Sequence, residues 1–141
     1  MKKVIFLSFA LFMLMGSFIA NAQNAKKQEA KKATTPKVEV YYFHFSQRCA
    51  TCHAVEDNSK LAVTSLYPEK VKTGEYSFKG VNLDESSSKA IAQKLGIEGQ
   101  SLMVVSNGKK VDITSKAFMY AHDPIKIKAE IKTAVEKVLT K

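Results

Sequence analysis

The chain has 141 residues, a length that allows one domain of ordinary size and excludes a multidomain enzyme. With 45% apolar and 25% charged residues it reads as globular, so neither full disorder nor a polytopic membrane protein fits. The formal charge of +9 is concentrated early: from Val38 onward 15 basic against 12 acidic residues make the folded part only mildly basic, and the lysines of residues 23–37, with no aromatics among them, do not support nucleic-acid recognition.

Lys2-Lys3, the apolar run Val4 to Ile19 and the small residues Ala20-Asn21-Ala22 have the three-part layout of a secretory signal, with cleavage expected after Ala22. The apolar run is shorter than the roughly 20 residues that span a bilayer comfortably, which disfavours a retained anchor. Residues 1–22 are therefore read as a signal peptide, and the mature chain as exported, periplasmic or extracellular, where disulfides are allowed. Residues 23–37 hold five lysines and no branched aliphatic or aromatic residue, so they read as a flexible basic linker. A second reading gives those lysines a weak contact with an anionic membrane surface, at about 1 kcal/mol per basic residue.

The domain is expected over residues 38–141. Val38 to Phe45 is β-branched and aromatic, the pattern of a buried strand. Ser46 is a plausible N-cap for a helix from Cys49 to about Ser65, which Tyr67-Pro68 stops. Tyr76 to Leu83 alternates like a strand, and Asp84 is placed to cap a helix that reaches Lys94 and ends at Gly96. Leu102 to Val105 is a short strand, Asn107-Gly108 a hairpin signal, and Lys109 to Ile113 the returning strand. Phe118 to Ala121 is an apolar run in an expected loop, read as core contact ahead of partner docking. Asp123-Pro124 opens a last helix that runs to about Leu139, with Ile127, Ile131, Val135 and Val138 on one side; His122 belongs to its cap. The order β-α-β-α-β-β-α predicts an α/β fold: a parallel βαβ unit, an antiparallel C-terminal hairpin and flanking helices.

The chemistry rests on Cys49-Ala50-Thr51-Cys52-His53, which holds both cysteines of the chain. A Cys-x-x-Cys pair at the start of a helix that follows a strand is a redox signature. The unpaired N–H groups and partial positive charge of a helix start favour a thiolate, the attacking species in disulfide exchange. Cys49, nearest the loop, is the candidate nucleophile, and Cys52, one turn deeper, the resolving thiol. Arg48 and His53 are candidates for tuning the thiolate through their charge. A purely structural staple is weaker, because so small a loop constrains the unfolded chain very little.

With this pattern the sequence resembles the thioredoxin-like superfamily from Val38 to Lys141, through VEVYYFHF, the CATC motif and GIEGQSLMVVSNGKK. The resemblance implies a thioredoxin-like mixed sheet, thiol–disulfide oxidoreductase activity through a redox-active Cys49–Cys52 disulfide, no further cofactor, and protein thiols or disulfides as partners. More narrowly, YYFHFSQRCATCHAVE and DITSKAFMYAHDP are similar to small exported proteins of the ArsF family, labelled a nitrophenyl-compound nitroreductase subunit. That implies an electron-transfer accessory with a dedicated membrane or periplasmic partner, although no Gly-rich flavin or nicotinamide fingerprint is present. Three departures stand out. Arg48 replaces the usual aromatic residue before the first Cys, Phe43 stands where the superfamily has a buried Asp, and Gly99-Gln100-Ser101-Leu102 lacks the cis-proline that faces the cysteines.

Two other classes compete. Cys49-x-x-Cys52-His53 also spells a c-type haem attachment motif, with Met103, Met119, His44 or His122 as a second axial ligand. Alternatively Cys49, Cys52 and His53, with His44 across the loop, are ligand types for Cu(I) or Zn(II).

Overall fold

The computed structural model describes residues 37–140; the expected signal peptide and almost all of the basic linker lie outside the described residues. Strand β1 (Val38–His44) is followed by α1 (Ala50–Leu66), α2 (Pro68–Thr73), β2 (Tyr76–Asn82), a single 3-10 turn at Ser86–Ser88 and α3 (Lys89–Leu95). Then come β3 (Ser101–Ser106), β4 (Lys109–Asp112), α4 (Thr114–Met119) and α5 (Pro124–Leu139). The four strands form one sheet in the order β2-β1-β3-β4. The parallel β1–β2 pair is the expected βαβ unit, and β3–β4 is the expected hairpin. β3 runs antiparallel to β1 as well, so the sheet has a single parallel pair. The result is the expected α/β architecture, a mixed sheet with one parallel pair flanked by helices.

β1 lies between two neighbours and is covered on both faces, which is why it reads as nearly continuous apolar sequence. Its period of two divides the core. Val38, Val40 and Tyr42 face a large cluster with Val55, Ala62 and Val63 of α1 and Ile127, Ile131 and Val135 of α5. Tyr41 and Phe43 face a smaller cluster with Ala92 and Leu95 of α3 and Met103 of β3. The helix that carries the cysteines is thus fixed to the deeper side of the sheet.

Several local expectations hold. Asn107 and Gly108 both take positive φ (48° and 81°), the mirror-image turn that matches strand twist and that glycine adopts without strain. The Asp123 side chain caps α5 by accepting from the Lys126 N–H at 3.1 Å, with Pro124 in the first turn. Gly96 closes α3 in a left-handed conformation.

Others are corrected. Ser46 does not cap α1; Cys49 is the capping residue and its side chain makes no cap hydrogen bond. Instead the Ser46 N–H donates to Asp84 Oδ2 at 2.7 Å, which also removes Asp84 from its expected capping role. That contact holds the Asp84 carboxyl below its ordinary range and ties the loop before the cysteines to the end of β2. Pro68 stops α1 but also opens α2, since proline suits the first turn of a helix. The expected loop after β4 is the short α4. Its start is organised by the Asp112 carboxylate, which accepts from both the N–H (2.8 Å) and the hydroxyl (2.5 Å) of Thr114. Ala117 and Ala121 pack in the core with Phe118 and Tyr120 against it, while Met119 is 71% exposed.

Candidate active site

The site forms where β1 ends. The chain leaves the sheet at His44, crosses Phe45 to Arg48, and enters α1 with Cys49 in an extended conformation (φ −83°, ψ 169°) at the capping position. The N–H groups of the first turn have no intrahelical acceptor, and that turn contains no acidic residue to answer their positive field. Cys49 is exposed at this end of the helix. Cys52, one turn deeper, is 5% exposed. Their sulfurs are 2.9 Å apart and both are free thiols.

The environment of Cys52 favours its thiolate. The hydrogen bond from Cys49 is the strongest influence lowering its pKa below the ordinary thiol value; burial opposes it, and donation from the Gln100 side-chain amide (Nε2 to Sγ, 3.4 Å) adds to the lowering. The Tyr42 hydroxyl, buried beneath, also contributes through a loose O–H···S approach, although it makes no hydrogen bond of regular geometry. Burial first, and the nearby sulfur second, push the Tyr42 phenol well above its ordinary value, so it stays a neutral group.

The two expected tuning residues lie in different settings. The Arg48 guanidinium forms an ion pair with Glu56, which lies one helical turn beyond Cys52; both side chains are largely covered, at 18% and 22% exposure. Arg48 therefore brings a matched pair to the site rather than a lone positive charge. His53 is exposed on α1, and its backbone N–H donates to the Cys49 carbonyl at 3.2 Å. Gln100, Tyr42 and Glu56 were missed as site residues. Arg48 precedes α1, so no helical spacing linked it to Glu56, eight residues on, whereas the position of Tyr42 on the inner face of β1 was a signal for that residue. A neutral glutamine in a loop has no such signal.

The residues of the competing cofactor readings are spread over the structure. Among the described residues no three His, Cys, Asp or Glu side chains converge on a point that could hold a metal ion. His44 Nδ1 lies 2.9 Å from the Phe45 carbonyl, and its Nε2 lies near Gly80. Of the two cysteines in the haem motif, Cys49 is exposed and Cys52 is buried against Tyr42 and Gln100. Met103 belongs to the cluster on the opposite face of the sheet, and His122 is exposed beside the cap of α5.

No family model and no curated protein matches the chain, so the narrower likeness to the ArsF family has no family match behind it. Among solved structures the chain is similar to thioredoxin f2 of Chlamydomonas reinhardtii, with 21% identity and a TM-score of 0.33 over 64% of this chain and 83% of that chain. That likeness says nothing of what this chain acts on.

Proposed function

We propose that the chain is an exported thiol–disulfide oxidoreductase that works on protein thiols or disulfides through Cys49 and Cys52. One observation carries the reading: an exposed sulfur at an uncapped helix start lies 2.9 Å from a buried sulfur whose environment lowers its pKa. Exposure selects Cys49 for attack on a substrate disulfide. Its thiolate forms the Cys49–substrate S–S bond, the substrate S–S bond breaks, and the electron pair leaves on the first substrate sulfur, which takes a proton. The Cys52 thiolate then attacks the Cys49 sulfur. The Cys49–Cys52 bond forms, the mixed disulfide breaks, and the second substrate thiol departs. Run backwards, the same steps donate a disulfide.

The signal-like residues 1–22 support export, where a reversible disulfide is chemically permitted. An accessory role handing electrons to a membrane or periplasmic partner, as the ArsF resemblance implies, is the same chemistry restricted to one partner. Residues 23–37 supply the positive charge for weak contact with an anionic membrane.

The test is an equilibrium titration. Purified protein is incubated in glutathione buffers of graded potential, quenched by alkylation and weighed by mass spectrometry. A single two-electron transition between dithiol and disulfide is expected, and Cys52→Ser should accumulate the mixed disulfide on Cys49. A pair that does not equilibrate at any potential would overturn the proposal.

A further inference from the structure

The geometry points to Gln100 as a catalytic residue of the exchange, an amide donor that holds the Cys52 sulfur in its charged form and so sets both the poise of the pair and the rate of its resolving step. This rests on the thiol–disulfide reading of Cys49 and Cys52. The loop that carries Gln100 enters β3 opposite the cysteines, and Ser101 Oγ braces it by donating to the Gly99 carbonyl at 3.0 Å. From there the Gln100 amide reaches Cys52 Sγ at 3.4 Å and acts as a side-chain donor from outside the Cys-x-x-Cys segment.

The consequence follows from which state of sulfur accepts a hydrogen bond well. A thiolate is a strong acceptor, whereas a disulfide sulfur and a neutral thiol are weak ones. The amide therefore stabilises the reduced, deprotonated pair relative to the disulfide. In the resolving step the Cys52 thiolate gives its electron pair to the Cys49 sulfur, and the substrate thiolate leaves and is protonated. Gln100 raises the fraction of Cys52 ready for that attack while it lowers the intrinsic nucleophilicity of each thiolate. The other groups that bear on this sulfur are Cys49 at the helix start and the Tyr42 hydroxyl on β1, and the charges of the Arg48–Glu56 pair act on Tyr42. None of these replaces an amide donor from the β3 side.

The experiment compares the full-length mature protein with Gln100→Met, which keeps the length of the side chain and removes the donor, and with Gln100→Asn, which keeps the amide but shortens its reach. Each is titrated against glutathione, and thiolate absorbance is followed with pH. Gln100→Met should move the equilibrium about three- to tenfold toward the disulfide, or roughly 15–30 mV, and raise the pH midpoint of the Cys52 thiolate. Gln100→Asn should fall in the same direction by less. If Gln100→Met titrates with the wild-type potential and pH midpoint, the inference is wrong although the pair is redox-active. If wild type itself fails to equilibrate, the underlying reading is wrong instead. Should Gln100→Met not fold, the decision passes to Gln100→Asn: a wild-type potential and pH midpoint there overturn the role.

Discussion

The two long helices pack side by side on the same face of the sheet, yet they begin in opposite ways. α5 starts closed: Asp123 accepts from the Lys126 N–H at 3.1 Å, its carboxylate lies 3.5 Å from the Lys126 ammonium, and Pro124 in the first turn has no N–H to satisfy. α1 starts open, with a cysteine at the capping position, no side-chain cap and no acid in its first turn. Local capping is therefore not what holds α1. Its inner side, with Cys52, Val55, Ser59, Ala62 and Val63, is buried, and packing supplies most of the stability of a helix in a protein. The donors of the first turn are left uncapped beside the exposed Cys49. The difference separates two states of one feature: at α5 a side chain answers the terminal amides, and at α1 they stay without a side-chain cap.

The largest test of that contrast is Cys49→Ser. Exchange should fall to the level of buffer alone in a disulfide-reduction assay, because no thiolate remains at the exposed position. Stability should move the other way. Serine is among the preferred capping residues, so the variant should gain about 0.5–2 kcal/mol in a denaturant titration of the reduced protein. A Cys49→Ser protein that is clearly less stable would mean the α1 terminus is not open in this sense.

Asp123→Ala is the mirror image and the smaller effect. It should lower the thermal midpoint by a few degrees and leave the rate of exchange unchanged. The Lys126 N–H is the main cause of a carboxyl pKa held below its ordinary value of 3.8. A folded-state pKa below the unfolded one means the contribution is fully present above 3.8 and is lost as pH falls through the lower folded value. The midpoint gap between wild type and Asp123→Ala should therefore be constant at neutral pH and close in strong acid. A gap that persists there would assign the effect to helix propensity rather than to the cap.

The same contrast explains what could be read from the sequence. Asp123-Pro124, Asn107-Gly108 and Cys49-Ala50-Thr51-Cys52 each carry their reason within a few residues, and each forms the expected feature. Ser46 and Asp84 are each good caps by local chemistry, yet they meet one another across 38 residues, so the local rule fails for both at once. The direction of β3 is of the same kind, since alternation fixes which side chains face the core but not which way the strand runs. Short α4 was invisible because the carboxylate that starts it lies in the preceding strand. At the site, the two cysteines were legible as a pair, whereas Gln100 depends on where a loop returns, and the Arg48 charge is answered by a partner eight residues away.

That partner offers the finest test. Gly80 sits on the edge strand β2 opposite Tyr42, and a Cβ there would lie 2.5 Å from Glu56 Oε1 and 3.7 Å from His44 Nε2. The backbone of Gly80 is not in the left-handed region, so alanine suits the strand and by itself would be favourable by roughly 0.5–1 kcal/mol. The collision is with the end of a side chain rather than with backbone, so the Glu56 carboxylate can give way. It would do so by loosening its hold on Arg48. Gly80→Ala should therefore change stability by less than about 1 kcal/mol while leaving an unmatched guanidinium next to Cys49. Alkylation of the reduced pair by an anionic reagent should then rise about twofold at low salt, and the gain should shrink as salt shortens the screening length below about 10 Å. Glu56→Gln should reproduce the effect through a different substitution. If Gly80→Ala and Glu56→Gln both alkylate at the wild-type rate at every salt concentration, the Arg48–Glu56 pair is a structural brace, and the openness of the α1 terminus alone sets the field at the sulfur.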